Sequence, residues 1–93
     1  MPRIVVTFNA ENLQHWEKAF RTHGALFKEQ TIVSPWLFSV DESDNSVTLS
    51  ADVDDLDTLT KVLESSETAD ALSGDGVERG SYKLVVLDKQ FDF

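Results

Sequence analysis

An α+β domain of the β-α-β-β-α-β kind is predicted for these 93 residues by three observations. Stretches rich in β-branched residues or strictly alternating apolar and polar residues flank stretches with apolar spacings of three and four. The connections between them are short. Their order is the one that closes a four-stranded antiparallel sheet with both helical regions on one face. A chain of this length has room for one core, so residues 1–93 are read as a single domain.

The first strand is read over Arg3 to Phe8, through Ile4-Val5-Val6-Thr7-Phe8. Asn12 is suited to cap the next element. Leu13, Trp16, Phe20, His23 and Phe27 then recur at three- and four-residue spacings, which predicts one helix ending near Ala25 to Phe27. Gly24 interrupts that stripe. A second strand is predicted over Thr31 to Val40, with Ile32, Ser34, Trp36, Phe38 and Val40 on one face. Pro35 removes a backbone donor, so this strand should lie at an edge or carry a bulge. Asp41 to Asn45 is a polar turn, and Val47, Leu49, Ala51 and Val53 alternate with polar residues along a half-buried strand.

Asp54 or Asp55 caps a second helix whose Leu56, Leu59, Val62 and Leu63 face inward. Ser65-Ser66 ends it, and a short helix carrying Ala69 and Leu72 runs to Gly74. Asp75 to Gly80 is a loop, Tyr82 to Asp88 the last strand, and Gln90 to Phe93 a tail with two aromatics.

Eight basic and seventeen acidic residues give a formal net charge of −9. Such a surface repels phosphate backbones and anionic lipid, so neither nucleic acid nor membrane is an expected partner. The chain has no cysteine, which removes disulfides and thiolate metal sites. Its opening apolar stretch is too short for a signal-peptide core or a membrane span, and a cytoplasmic location is expected.

In a sheet covered by helices on one face, the strands of a monomer should alternate apolar and polar residues. Ile4-Val5-Val6 and Leu84-Val85-Val86-Leu87 do not. Successive side chains point to opposite faces, so these runs place apolar groups on both. Covering the second face with another copy is worth several kcal/mol at about 25 cal/mol per Å². A homodimer is therefore expected, with Phe91 and Phe93 able to reach across to the partner.

His23 is the candidate catalytic residue. On a helical wheel it lies within about 20° of Trp16 and 40° of Phe27, directed toward the sheet. An imidazole there can accept or deliver a proton near neutral pH; the simpler role is a hydrogen bond to a backbone carbonyl. Trp16, Phe27, Trp36 and Phe38 are candidate ligand-binding residues, the tryptophans walling an aromatic pocket. Aromatics at helical spacing also serve simply as core. His15 falls on the opposite side of the helix and is expected in solvent.

No metal site is expected. Asp54 and Asp55 have a sufficient role in capping and in favouring the helix dipole. The segment from Asp41 to Asp52 has oxygen side chains at its first, third and fifth positions but lacks the glycine and final glutamate of a calcium loop. The chain has no glycine-rich phosphate loop, no zinc spacing and no G-x-S-x-G motif.

Read from end to end, the chain resembles the dimeric α+β barrel superfamily, with its antibiotic-biosynthesis monooxygenase-like branch. The resemblance rests on Asn12-Leu13-Gln14-His15-Trp16 with Phe20 and His23, the turn Asp41-Glu42-Ser43-Asp44-Asn45, and the join Val53-Asp54-Asp55-Leu56. Leu63-Glu64-Ser65-Ser66-Glu67, Gly76-Val77 and the closing apolar strand complete it. It implies a ferredoxin-like fold closed into a barrel by dimerisation. Members of such a superfamily include oxygenases without cofactors, isomerases, haem-degrading enzymes, polyketide cyclases and proteins without known activity, so fold alone implies little chemistry. The haem-degrading branch is similar in using an asparagine, a tryptophan and a histidine. Here Asn9, Trp36 and His23 are distributed differently, since that branch carries its histidine on the second helix, and no cofactor is expected.

The function expected first is a small dimeric barrel protein that binds a small apolar or aromatic molecule between helices and sheet. The alternative is a cofactor-independent monooxygenase, or an isomerase or cyclase, acting on an aromatic or polyketide-like substrate. A purely structural interaction module is the third reading.

Overall fold

Alternation along Val47 to Val53 decides which way the sheet faces. In the computed structural model, which describes residues 2–93, Val47, Leu49, Ala51 and Val53 are buried while Thr48 is exposed. The elements in chain order are β1 (Arg3–Asn9), α1 (Leu13–Phe20), α2 (Gly24–Glu29), β2 (Leu37–Asp41), β3 (Ser46–Asp52), α3 (Leu56–Leu63), α4 (Ser66–Gly74) and β4 (Lys83–Leu87). The four strands form one antiparallel sheet in the order β2-β3-β1-β4. This is the expected ferredoxin-like arrangement. Trp16 and Phe20 of α1 and Leu59 of α3 pack with Ile4, Val6, Phe8, Val47 and Leu49 into one core on the helical side of the sheet.

One helix was expected across Leu13 to Phe27, and two are found. The chain leaves α1 through tighter bonds, from Thr22 N–H to the Ala19 carbonyl at 3.0 Å and from His23 N–H to the Phe20 carbonyl at 3.1 Å. The Thr22 hydroxyl also donates to the Ala19 carbonyl, at 2.6 Å, competing for an oxygen that a continuous helix would use. The apolar spacing survives the break because Phe20 and Phe27 converge on the same core, 5.0 Å apart.

The second strand is also shorter than expected. Thr31 to Trp36 lie outside β2, apart from an isolated bridge between Ile32 and Val53. Pro35 accounts for the late start, since it cannot donate to a ladder, and β2 sits at the sheet edge as expected. Thr31, with φ of 62°, ends α2 in the left-handed region that a β-branched residue rarely adopts. Its hydroxyl accepts from Asp55 N–H at 3.0 Å and donates to the Asp55 carbonyl at 3.1 Å, tying that turn to the start of α3.

The outer sheet face is more mixed than the apolar runs imply. The register aligns Leu37, Ser50, Val5 and Val85 in one row across it. The next row is Ser39, Thr48, Thr7 and Lys83, and Arg3 bridges Asp52 at 3.1 Å beside Leu87. Its apolar content is thus a patch of Leu37, Val5, Val85 and Leu87, of which Leu37 is 64% and Leu87 54% exposed. Phe91 and Phe93 of the tail are exposed as well.

Candidate functional site

An apolar cavity of about 70 Å³ lies between the inner sheet face and the helices. Ile4, Val6, Leu49 and Leu84 form its floor, Trp16, Phe20, Phe27 and Trp36 its aromatic wall, and Leu63, Ala71 and Leu72 the side made by α3 and α4. The wall is continuous: ring centroids lie 4.9 Å apart for Trp16 and Phe20, 6.0 Å for Phe20 and Trp36, and 5.5 Å for Phe27 and Trp36. Stacked and edge-on pairs at such separations stiffen the wall beyond simple area burial.

Of the residues singled out from sequence, His23, Trp16, Phe27 and Trp36 all line this cavity. Phe38 does not. It stands behind the wall, 5.7 Å from Trp16 and 5.5 Å from Phe20, with the Arg21 guanidinium 5.5 Å above its ring. Phe38 supports the aromatic cluster from β2 rather than facing the space within it.

His23 reaches the cavity from the joint between α1 and α2, so its position owes nothing to a continuous helical wheel. Its Nε2 lies 2.8 and 2.9 Å from the two carboxylate oxygens of Asp75. A carboxylate only accepts, so Nε2 carries the proton and Nδ1 is the basic nitrogen of the neutral ring. Asp75 is 6% exposed and also lines the cavity. The ring meets Phe27 edge-on, with centroids 6.3 Å apart.

The hydrogen bond to a carbonyl that seemed natural for His23 belongs instead to His15. His15 is exposed, as expected, and its Nε2 lies 2.9 Å from the Gly74 carbonyl oxygen, holding the end of α4 from the solvent side. Gly76, with φ of 78°, completes that end: Val77 N–H bonds back to the Leu72 carbonyl at 3.0 Å, the closure a left-handed residue permits. Glu11 N–H bonds the Gly76 carbonyl at 2.8 Å. Two histidines and a backbone bond from the α1 region thus clamp the turn that presents Asp75.

Asp75, Gln30 and Tyr82 were not singled out from sequence. Asp75 lies 52 positions from its histidine and looks like an ordinary helix-end residue. Gln30 is 5% exposed at the end of α2, where a glutamine normally faces water. Tyr82 stacks near Phe8, with centroids 6.3 Å apart, and burial raises its phenol above the ordinary value near 10. Among the described residues, no cluster of histidine, cysteine or acidic side chains is arranged to hold a metal ion. No helix among them is long and apolar enough to cross a membrane.

Solved structures share this architecture over nearly the whole chain. A proposed antibiotic biosynthesis monooxygenase from Bordetella bronchiseptica superposes with a TM-score of 0.72 at 10% identity, covering 97% of each chain. SnoaB, a cofactor-independent oxygenase from Streptomyces nogalater, gives 0.71 at 15% identity, covering 98% of this chain and 94% of its own. The fold is that of the antibiotic-biosynthesis monooxygenase-like proteins. This agrees with the resemblance read from the sequence. No family model matches the chain, and no curated protein matches it by sequence. At such identities the likeness establishes architecture and leaves chemistry to the site itself.

Proposed function

We propose that this protein binds a small, mostly apolar ligand carrying a single ring in the cavity between helices and sheet, with His23 handling a proton beside it. The observation that carries this reading is the His23–Asp75 pair on the wall of an otherwise apolar space. Polar groups converging on such a space are the usual mark of a small-molecule site. With Nε2–H held by the carboxylate, Nδ1 can take a proton from a ligand O–H. This leaves an oxyanion on the ligand and an imidazolium that Asp75 stabilises.

Size narrows the ligand. A cavity of about 70 Å³ is about half the roughly 150 Å³ apolar cavity known to admit benzene, so even one ring requires the cavity to open to about twice its volume. A polycyclic polyketide does not fit. The second reading, a cofactor-independent oxygenase or an isomerase or cyclase, is favoured by the likeness to SnoaB and by the same proton-handling pair. It is confined to single-ring substrates by the same volume.

The working unit in this proposal is a homodimer joined through the outer sheet face. Val5, Leu37, Val85 and Leu87 supply an apolar patch there, and full cover is worth roughly 2 kcal/mol for each such side chain. The cysteine-free composition suits a reducing cytoplasmic compartment.

Thermal-shift screening with monocyclic aromatic compounds, then oxygen uptake and product analysis on each hit, tests the proposal. A stabilising ring compound that is turned over by the wild type, and bound but not turned over by His23→Ala, is the expected result for an enzyme. Binding without turnover in either protein identifies a plain binding protein. Failure of every ring compound to stabilise the protein sinks the cavity reading.

A further inference from the structure

We infer that Gln30 is the specificity-determining residue of this cavity, selecting a ring that carries a hydroxyl or carbonyl oxygen over an equally sized hydrocarbon. The inference rests on the cavity being the binding site proposed above. Gln30 lines it from the end of α2 and is 5% exposed as a residue. A buried carboxamide ordinarily finds protein partners, because leaving its donors and acceptor empty is costly.

Among the described residues, no protein group hydrogen-bonds the Gln30 side chain, although shorter polar side chains around it are paired. The Thr68 hydroxyl, on the same cavity wall, donates to the Val62 carbonyl at 2.6 Å. Asp75 is taken by His23. The Trp36 indole N–H also lacks a partner, but it has no accessible surface, whereas the carboxamide of Gln30 keeps some. Gln30 therefore offers two N–H donors and one acceptor to a mostly apolar chamber, apart from the His23–Asp75 pair.

The placement of Gln30 is built in rather than incidental. Its N–H bonds the Leu26 carbonyl at 3.0 Å, and the next residue, Thr31, is held in its left-handed conformation by Asp55 on both sides of its hydroxyl. A ligand oxygen meeting the Gln30 carboxamide accepts from Nε2 or, if it is a hydroxyl, donates to Oε1. A methyl group in the same place leaves both atoms unbonded.

Phenol and toluene, matched in size, test this with the intrinsic fluorescence of Trp16 and Trp36 as readout. A purely apolar chamber prefers toluene, because a buried hydroxyl without a partner is penalised. With Gln30 engaged, the wild type should bind phenol about tenfold more tightly than toluene, the scale of one well-made hydrogen bond in place of an unmade one. Gln30→Leu should cut the phenol preference several-fold while keeping toluene, His23 Nδ1 remaining for the hydroxyl. Gln30→Met serves where the leucine variant fails to fold, and the wild-type comparison needs neither. Equal or stronger binding of toluene by the wild type overturns the inference and leaves the cavity as a binding site. A phenol preference undiminished in Gln30→Leu overturns it too, shifting selection to another group. Binding of neither probe overturns the cavity reading itself and this inference with it.

Discussion

Removing His23 should cost more stability than removing Asp75, although the two share one interaction. The asymmetry follows from burial: the side chain of Asp75 is 9% exposed and that of His23 24%. In His23→Ala the carboxylate keeps its charge without its partner in a space that water barely reaches. Leaving a buried carboxylate without its hydrogen-bond donor in this way costs about 3 kcal/mol. In Asp75→Ala the imidazole loses its acceptor but can turn toward solvent at the rim, for about 1–2 kcal/mol. A domain of 93 residues has roughly 5–14 kcal/mol to lose, so the first variant should still fold with a reduced margin. Urea denaturation followed by circular dichroism measures this directly. With a slope of about 1 kcal/mol per molar urea, His23→Ala should lower the midpoint by about 3 M and Asp75→Ala by about 1 M. The double variant should fall well short of the sum, since removing both partners strands neither. Equal losses in the single variants, or additive losses in the double, would refute the description of Asp75 as a buried charge dependent on His23.

Other expectations concern pH and association. The Asp55 carboxyl is held below its ordinary value of 3.8, first by the Thr58 backbone N–H and then by the Thr58 hydroxyl. A lowered folded value contributes stability above the unfolded value that is lost as pH falls below it, so urea midpoints should drop between about pH 5 and pH 2. Asp55→Asn, which keeps a cap but cannot titrate, should flatten that drop. Tyr82 is the one tyrosine of the chain, and burial raises its phenol, so absorbance at alkaline pH should show ionisation only above pH 10. Here the folded state holds its proton longer than the unfolded one, and stability should fall as pH rises past 10; an unbuffered, solvent-like titration would contradict the packing of Tyr82. Sedimentation of the wild type at micromolar concentration should report a dimer, and Val85→Glu should convert it to a folded monomer. A wild-type monomer at that concentration removes the outer-face interface from the proposal.

Local pattern was enough for three of the strands and overran the start of β2. Val47, Leu49, Ala51 and Val53 alternate with polar residues, and alternation has one geometric meaning in a sheet that is buried on a single face. Pro35 announced an edge because its missing N–H cannot be accommodated between two neighbours. Asn12 caps α1 through His15 N–H and Asp55 caps α3, both as their side chains allow. The aromatic wall was legible too, since Trp16, Phe20 and Phe27 keep a spacing that returns them to the same side even across the break at Thr22.

Tertiary structure alone decided what faces the cavity with a polar atom. His23 meets Asp75 across 52 positions because the closed sheet brings the α1–α2 joint against the end of α4, and no local spacing encodes that encounter. Gln30 reads as a surface residue until the left-handed turn at Thr31 tucks it beneath the helices. Phe38 reads as pocket lining until the short β2 sets it behind Trp16 and Phe20. Periodicity reports which side of an element is greasy, whereas hydrogen bonds between distant elements depend on where the whole chain closes.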